Sequence, residues 1–166
     1  MKIRKTTKND IERLMDIYAY ARKFMAEHGN PNQWGPTNWP PRDVILEDIE
    51  LGNSYAVLND EGIVIGGFCY KYGVDVEEPY LGIEDGEWKD NSAYGVIHRL
   101  AGDGSEKGIA EFSLNWAFNE SGHLRVDTHE DNLVMQNILD KMNFERRGII
   151  HVIEDNYPRI AYEKSK

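Results

Sequence analysis

Apolar residues recur along this chain at two periods, and the alternation between them predicts the architecture. Ile11, Leu14, Ile17, Tyr18 and Ala21 fall at helical spacing behind Asn9 and Asp10, either of which can cap a helix start. That helix is predicted to run to about Glu27. His28 to Pro41 is dense in Gly, Pro and Asn and reads as loop. A second helix covers Arg42 to Leu51, with Val44, Ile45, Asp48 and Ile49 setting its faces and Gly52-Asn53 ending it. A third, Glu106 to Asn119, points Ile109, Phe112, Leu114 and Trp116 inward. A fourth, Asp131 to Met142, carries Val134, Met135, Ile138, Leu139 and Met142 as one stripe. Strands are predicted at Lys2–Thr6, Ser54–Asn59, Ile63–Tyr72, Tyr94–Ala101 and His123–Thr128, with a final antiparallel pair over Phe144–Ile153 and Arg159–Glu163. Asp60-Glu61-Gly62 is a hairpin turn, and Gly73 to Ser92 is a long turn-rich excursion. The order βααβββαβαββ predicts one α/β domain over residues 1–166, built on a mixed sheet of about seven strands.

The chemistry concentrates between Ile97 and Phe144. The strand Tyr94–Ala101 feeds a tight polar loop, Gly102-Asp-Gly-Ser-Glu-Lys-Gly108, which opens into the helix beginning Ile109-Ala110. The first turn of a helix has amides without intrahelical partners, and its dipole favours negative charge. A pyrophosphate fits that position. Gly108 has no Cβ and permits close approach, although a plain loop-to-helix hinge would also use a glycine there.

Composition narrows the classes. With 29 Asp+Glu against 19 Lys+Arg, the formal net charge is -10, which argues against a sequence-independent grip on nucleic acid or anionic lipid. An acidic surface suits a cationic substrate such as an amine, and it also serves solubility. Cys69 is the only cysteine, so an intrachain disulfide and a thiolate metal cluster are excluded; its apolar neighbours mark a buried thiol rather than a nucleophile. His28, His98, His123, His129 and His151 show no paired metal-ligand spacing, so no metal site is expected. A Gly-x-Gly-x-x-Gly dinucleotide fingerprint fails, because Lys107 follows Gly102-Asp-Gly104 where the third glycine belongs. No apolar signal region or membrane-length run is present, and a cytoplasmic protein is expected.

The element order and the central motif together resemble the GNAT superfamily of acetyl-CoA-dependent N-acetyltransferases, over nearly the whole chain. The family's loop reads Gln/Arg-x-x-Gly-x-Gly/Ala; here it is Ser105-Glu106-Lys107-Gly108-Ile109-Ala110, with Ser105 in place of Gln or Arg. The segment from Asp131-Asn132 to Asn143-Phe144 resembles the family's Asn…Gly-Phe helix, with Asn143 for Gly, a residue that tolerates a left-handed helix end. The resemblance implies a GNAT-like, mostly antiparallel sheet with helices on both faces and a splayed central parallel pair. Acetyl-CoA, as co-substrate, would lie in that splay. Its arm would meet His98, Arg99 and Leu100, and its pyrophosphate Ser105, Glu106, Lys107, Gly108, Ile109 and Ala110. Asn132 would contact the cofactor, cap its helix, or do both.

The same resemblance implies direct acetyl transfer to a primary amine of a small molecule or peptide. Two departures bear on this. The family's acid, a Tyr on the last helix, is Leu139 here, and the Glu base of some branches is Tyr94. The remaining candidates for proton transfer are His98, Asp127 and His129. His98 reads equally as a core histidine, and Asp127 with Thr128 equally as a turn cap. Glu77 and Glu78, on the long excursion, can reach a substrate amine, with solvated charge as the default reading. Trp34 and Trp39, in the Pro-rich loop, and Tyr94 are the candidate acceptor-binding residues; the Trp pair serves loop packing equally well. The alternative function is a non-catalytic acyl-CoA-binding or sensor domain. No nucleic-acid or membrane partner is expected, and an edge strand near Phe144 to Ile153 can support a homodimer.

Overall fold

A computed structural model describes all residues, Met1–Lys166. Its elements are β1 (Lys2–Lys5), α1 (Ile11–Glu27), α2 (Arg42–Glu50), β2 (Ser54–Leu58), β3 (Val64–Gly73), α3 (Glu78–Leu81), β4 (Tyr94–Gly102), α4 (Ile109–Ser121), β5 (His123–Thr128), α5 (Leu133–Lys141), β6 (Glu145–His151) and β7 (Pro158–Ser165). Seven strands form one sheet in the order β1-β2-β3-β4-β5-β7-β6. Only β4 and β5 pair in parallel.

The faces follow from alternation along each strand. Val57, Ile65, Phe68, Ile97, Leu124 and Val126 face α4 and α5, whose Ile109, Leu114, Ala117 and Leu139 complete the largest core cluster. On the opposite face α1 places Leu14, Ile17, Tyr18 and Ala21 against Ala56, Val64 and Ala101. The other half of that face is covered by the 73–92 excursion, with Tyr80 packed on Tyr94, Val96 and Ile150. The excursion is therefore ordered wall rather than plain loop. Arg125 holds it down: the guanidinium lies 4.2 Å from the Trp88 ring centroid and 3.9 Å from that of Tyr94, and donates to Glu163 and to the Asp90 carbonyl.

Two local expectations are corrected, and one edge is more covered than its sequence suggests. The third helix starts at Ile109 rather than Glu106, because Asp103 Oδ1 accepts from the Ser105 amide at 2.9 Å and holds the preceding residues in a turn. Val134 is exposed, whereas Gln136 on the same helix is buried, donating to the carbonyls of His129 and Glu130 and accepting from Arg146. The β6 edge offered for a dimer is partly paired within the chain, since Glu84 and Ile149 exchange both backbone hydrogen bonds at 2.8 Å. Asn143 does take the left-handed conformation, φ 61°, and ends the last helix turn.

The feature that shapes the cleft is a bulge in β4. Gly67 pairs with Ala101 and Cys69 with His98, so Arg99 and Leu100 together oppose Phe68. Arg99 sits at φ 52°, a strained position for a side chain with a Cβ. It is clamped from α1 and α2: Tyr18 Oη donates to the Arg99 carbonyl at 2.8 Å, and the guanidinium grips Asp48 through two bonds of 2.8 Å. Removing one partner of such a buried pair costs roughly 3–5 kcal/mol. By the time it reaches the bulge β4 has already left β5. The parallel ladder holds only Gly95↔Leu124 and Val96↔Arg125. Gly66 lets α4 close in behind, since a Cβ there would lie 2.8 Å from both the Ala101 oxygen and an Ile109 methyl.

Candidate active site

Where β4 and β5 separate, a cleft of about 670 Å³ opens. Its floor is His98–Gly102 and Val126–Thr128, and its walls come from α1, the α4 start, α5 and the turn between β6 and β7. The loop after α1 roofs it with Gln33, Trp34, Thr37 and Trp39. That roof is latched to α5. Asn132 Nδ2 donates to Gln33 Oε1 at 3.0 Å, and Asn32 Nδ2 to Asp131 Oδ2 at 3.3 Å. Asn132 also caps its helix, with Oδ1 accepting from the Met135 amide at 3.1 Å.

One end of the cleft is the α4 N-terminus. Gly108, at φ 82°, precedes the helix without any side-chain cap, and a Cβ added there would meet nothing within 4 Å. The amides from Glu106 to Glu111 donate to no acceptor in the chain. Unpaired donors at the positive end of a helix form a cradle for an anion. Ser105 is not part of it. Its hydroxyl turns back to Asp103 Oδ1 at 2.6 Å, while Arg13 pairs with the other Asp103 oxygen, which ties the loop to α1.

The other end gathers titratable groups. His98 Nε2 lies 3.2 Å from Glu77 Oε2, and Nδ1 lies 3.7 Å from Asp127 Oδ2. Lys71 Nζ meets the same Glu77 oxygen at 3.1 Å. Tyr80 Oη donates to Asp127 Oδ2 at 2.7 Å, and burial followed by the Asp127 charge pushes that phenol well above its ordinary value, so it stays a donor. Burial works to raise the Glu77 carboxyl, but His98 and then Lys71 outweigh it and hold it at about 2. A carboxylate depressed on folding stabilises the fold above its unfolded value and loses that contribution as pH falls toward the folded one. Glu77→Gln is accordingly expected to lower stability at neutral pH by about 1.5–3 kcal/mol, the range for interactions with a buried charged group. The wild type should shed the same amount from about pH 5 down to about pH 2 while the variant stays flatter; urea unfolding across that range checks it.

Of the residues picked from sequence, His98, Leu100, Glu106, Lys107, Gly108, Ile109, Ala110, Asp127, Asn132, Trp34 and Trp39 line the cleft. Arg99 lines it with backbone while its side chain is turned to Asp48. Ser105, Tyr94 and His129 do not line it. Tyr94 is buried beneath Tyr80 and Arg125. His129 is buried behind the α5 start, stacked on Tyr157 at 4.8 Å with Nδ1 accepting from the Asp131 amide. Glu77, which the sequence places either within reach of an acceptor amine or as a solvated charge, lines the cleft as a partly buried ion-pair partner. One cleft group escaped sequence reading. Tyr80 carries no local signal beyond the helix-starting Pro79 beside it.

A GNAT-family acetyltransferase of Streptococcus agalactiae superposes with a TM-score of 0.87 at 31% sequence identity, covering 99% of this chain and 95% of that one. The chain belongs to the GNAT family of acetyltransferases. A GNAT acetyltransferase of Listeria monocytogenes, TM-score 0.70 at 16% identity, and a candidate acetyltransferase of Staphylococcus aureus, TM-score 0.70 at 21%, share the fold; this chain is covered to 99% in both, and they are covered to 94% and 99%. No family model and no curated protein sequence matches the chain. Within the GNAT fold the two departures noted from sequence stand out structurally: Leu139 is fully buried, and Tyr94 is sealed from the cleft. No helix is long and apolar enough to cross a membrane.

Proposed function

We propose that this GNAT chain transfers an acetyl group from acetyl-CoA to a primary amine of a small molecule or peptide. The observation that carries the reading is the splay of β4 from β5 after only two ladder pairs, ending at an uncapped helix start whose amides have no partner. Those residues fit the co-substrate: free amides from Glu106 to Glu111, with the Lys107 side chain, for its diphosphate, and for its arm the edge of β4 from His98 to Leu100 that has no partner on β5, the Arg99 carbonyl being held by Tyr18. When bound, acetyl-CoA supplies a thioester carbonyl open to attack by a neutral amine, with a thiol as leaving group.

The chain's own part is to take the amine's proton. Glu77 is held ionised with Oε2 3.2 Å from His98 Nε2; that nitrogen is shut off from solvent and makes no hydrogen bond of good geometry, so a ring proton placed on it faces the carboxylate alone. Nδ1 is then the basic nitrogen, open to the cleft beside Asp127. This is a general base oriented by a carboxylate. Tyr80 and Lys71 hold the two carboxylates in place.

The competing reading is a domain that binds acyl-CoA without turnover, motivated by the buried Leu139 and Tyr94. Thiol release from acetyl-CoA, measured across a panel of primary amines, separates the two. Amine-dependent release supports transfer; tight acetyl-CoA binding with no amine-dependent release on any member supports the sensor.

A further inference from the structure

We infer that the acceptor is an alkyl diamine or polyamine, a molecule carrying a second ammonium and no carboxylate; this rests on the acetyl-transfer reading above. The end of the cleft away from the α4 start is lined by the carboxylates of Glu77, Asp127, Glu154 and Asp155. Its one lining guanidinium, Arg159, is already committed. It donates to Asp155 Oδ2 at 3.0 Å and to the carbonyls of Pro158 and Tyr157. Lys71 is likewise committed to Glu77. No basic group in this half is free to receive a carboxylate, and an anionic acceptor would meet uncompensated negative charge.

The negative charge falls into two groups. Glu77 and Asp127 flank His98 at the floor, where the reacting nitrogen must arrive and lose a proton. Glu154 stands on the exposed turn between β6 and β7, forms no ion pair, and can hold an ammonium that keeps its charge. The cleft residues next to these groups in the chain, Val126 beside Asp127 and Val152 and Ile153 before Glu154, are apolar, which suits methylenes. Trp34 and Trp39 in the roof add ring faces of the kind that attract alkylammonium groups. An independent observation also points to a polar ligand. Thr128 lines the cleft and is 1% exposed, and its buried hydroxyl has no hydrogen-bond partner in the chain. A buried hydroxyl left alone is costly unless a bound molecule supplies its partner.

The test uses the full chain, saturating acetyl-CoA and three acceptors of matched length: 1,4-diaminobutane, butylamine and 4-aminobutanoate. The expected kcat/KM is at least tenfold higher for the diamine than for butylamine, and lowest for 4-aminobutanoate. Glu154→Gln should narrow the diamine-over-butylamine ratio at least threefold, with acetyl-CoA affinity as the control for folding. Equal rates on all three, or a preference for 4-aminobutanoate, would overturn the inference and leave acetyl transfer standing. So would turnover of other amines with none of these three. Absence of transfer to any amine, with acetyl-CoA bound, would overturn the underlying reading and the inference with it.

Discussion

Acetyl-CoA at 100 times its dissociation constant raises the stability of the wild-type chain by about 2.7 kcal/mol, and Gly108→Glu abolishes that gain. The argument is electrostatic and geometric together. Gly108 is the residue before the uncapped α4 start, and a side chain there would project into open space at the mouth of the amide cradle. A glutamate carboxylate at that point competes for the same donors and repels a diphosphate. The substitution also places a Cβ at φ 82°, at a cost of roughly 1–2 kcal/mol. That cost lowers the melting temperature of the apo chain without reaching the core. Gly108→Ala separates the contributions, since it carries the backbone strain and no charge. Thermal unfolding with and without acetyl-CoA should show the alanine variant still stabilised and the glutamate variant not. Dissociation constants should differ about 100-fold or more between wild type and Gly108→Glu, the factor for roughly 2.7 kcal/mol. Unaltered binding by Gly108→Glu would remove the cradle from the account.

His98→Gln lowers kcat by about 100-fold or more, the range for loss of a general base, and leaves acetyl-CoA affinity within a few-fold of wild type. Glutamine keeps a donor and an acceptor near Glu77 and Asp127, so the packing of the site is disturbed less than by truncation. What it cannot do is take a proton. The readout is therefore a split: turnover collapses while the acetyl-CoA thermal shift persists. Glu77→Gln tests the orienting role. It leaves the imidazole but removes the carboxylate that fixes which ring nitrogen carries the proton, so its loss in kcat should be smaller and its pH–rate profile displaced. If His98→Gln turned over at the wild-type rate, proton removal would belong to water or to another group in the cleft.

The strand and helix series was legible because each element buries one side at a characteristic period, as Leu14, Ile17, Tyr18 and Ala21 show in α1. The helix stop at Asn143 was legible for a different reason, the tolerance of Asn for a positive φ. Errors arose where polar groups took core positions. Gln136 is buried because it satisfies the carbonyls of His129 and Glu130, and it turns α5 so that Val134 is left exposed at the cleft. His129, attractive beside Asp127 in sequence, is instead spent on the turn into α5, because the strand ends at Thr128 and the His129 ring folds back to accept from the Asp131 amide. Tyr94 was misjudged in the same way, as a wall of the cleft rather than a support beneath Tyr80.

By itself the sequence determined the seven strands, the four longer helices and their order, and a glycine at the entry to α4, because helix and strand periods and the conformational freedom of Gly108 are local properties. Only the tertiary structure decided that β4 leaves β5 after Val96, that Arg99 bulges beyond that point, and that Glu77, His98 and Asp127 meet in the gap. Those three residues lie on an excursion and two different strands, and their meeting depends on strand register, on the Asp48 and Tyr18 clamp, and on the Arg125 anchor. Contacts of that kind are set by partners distant in the chain, which no local period encodes.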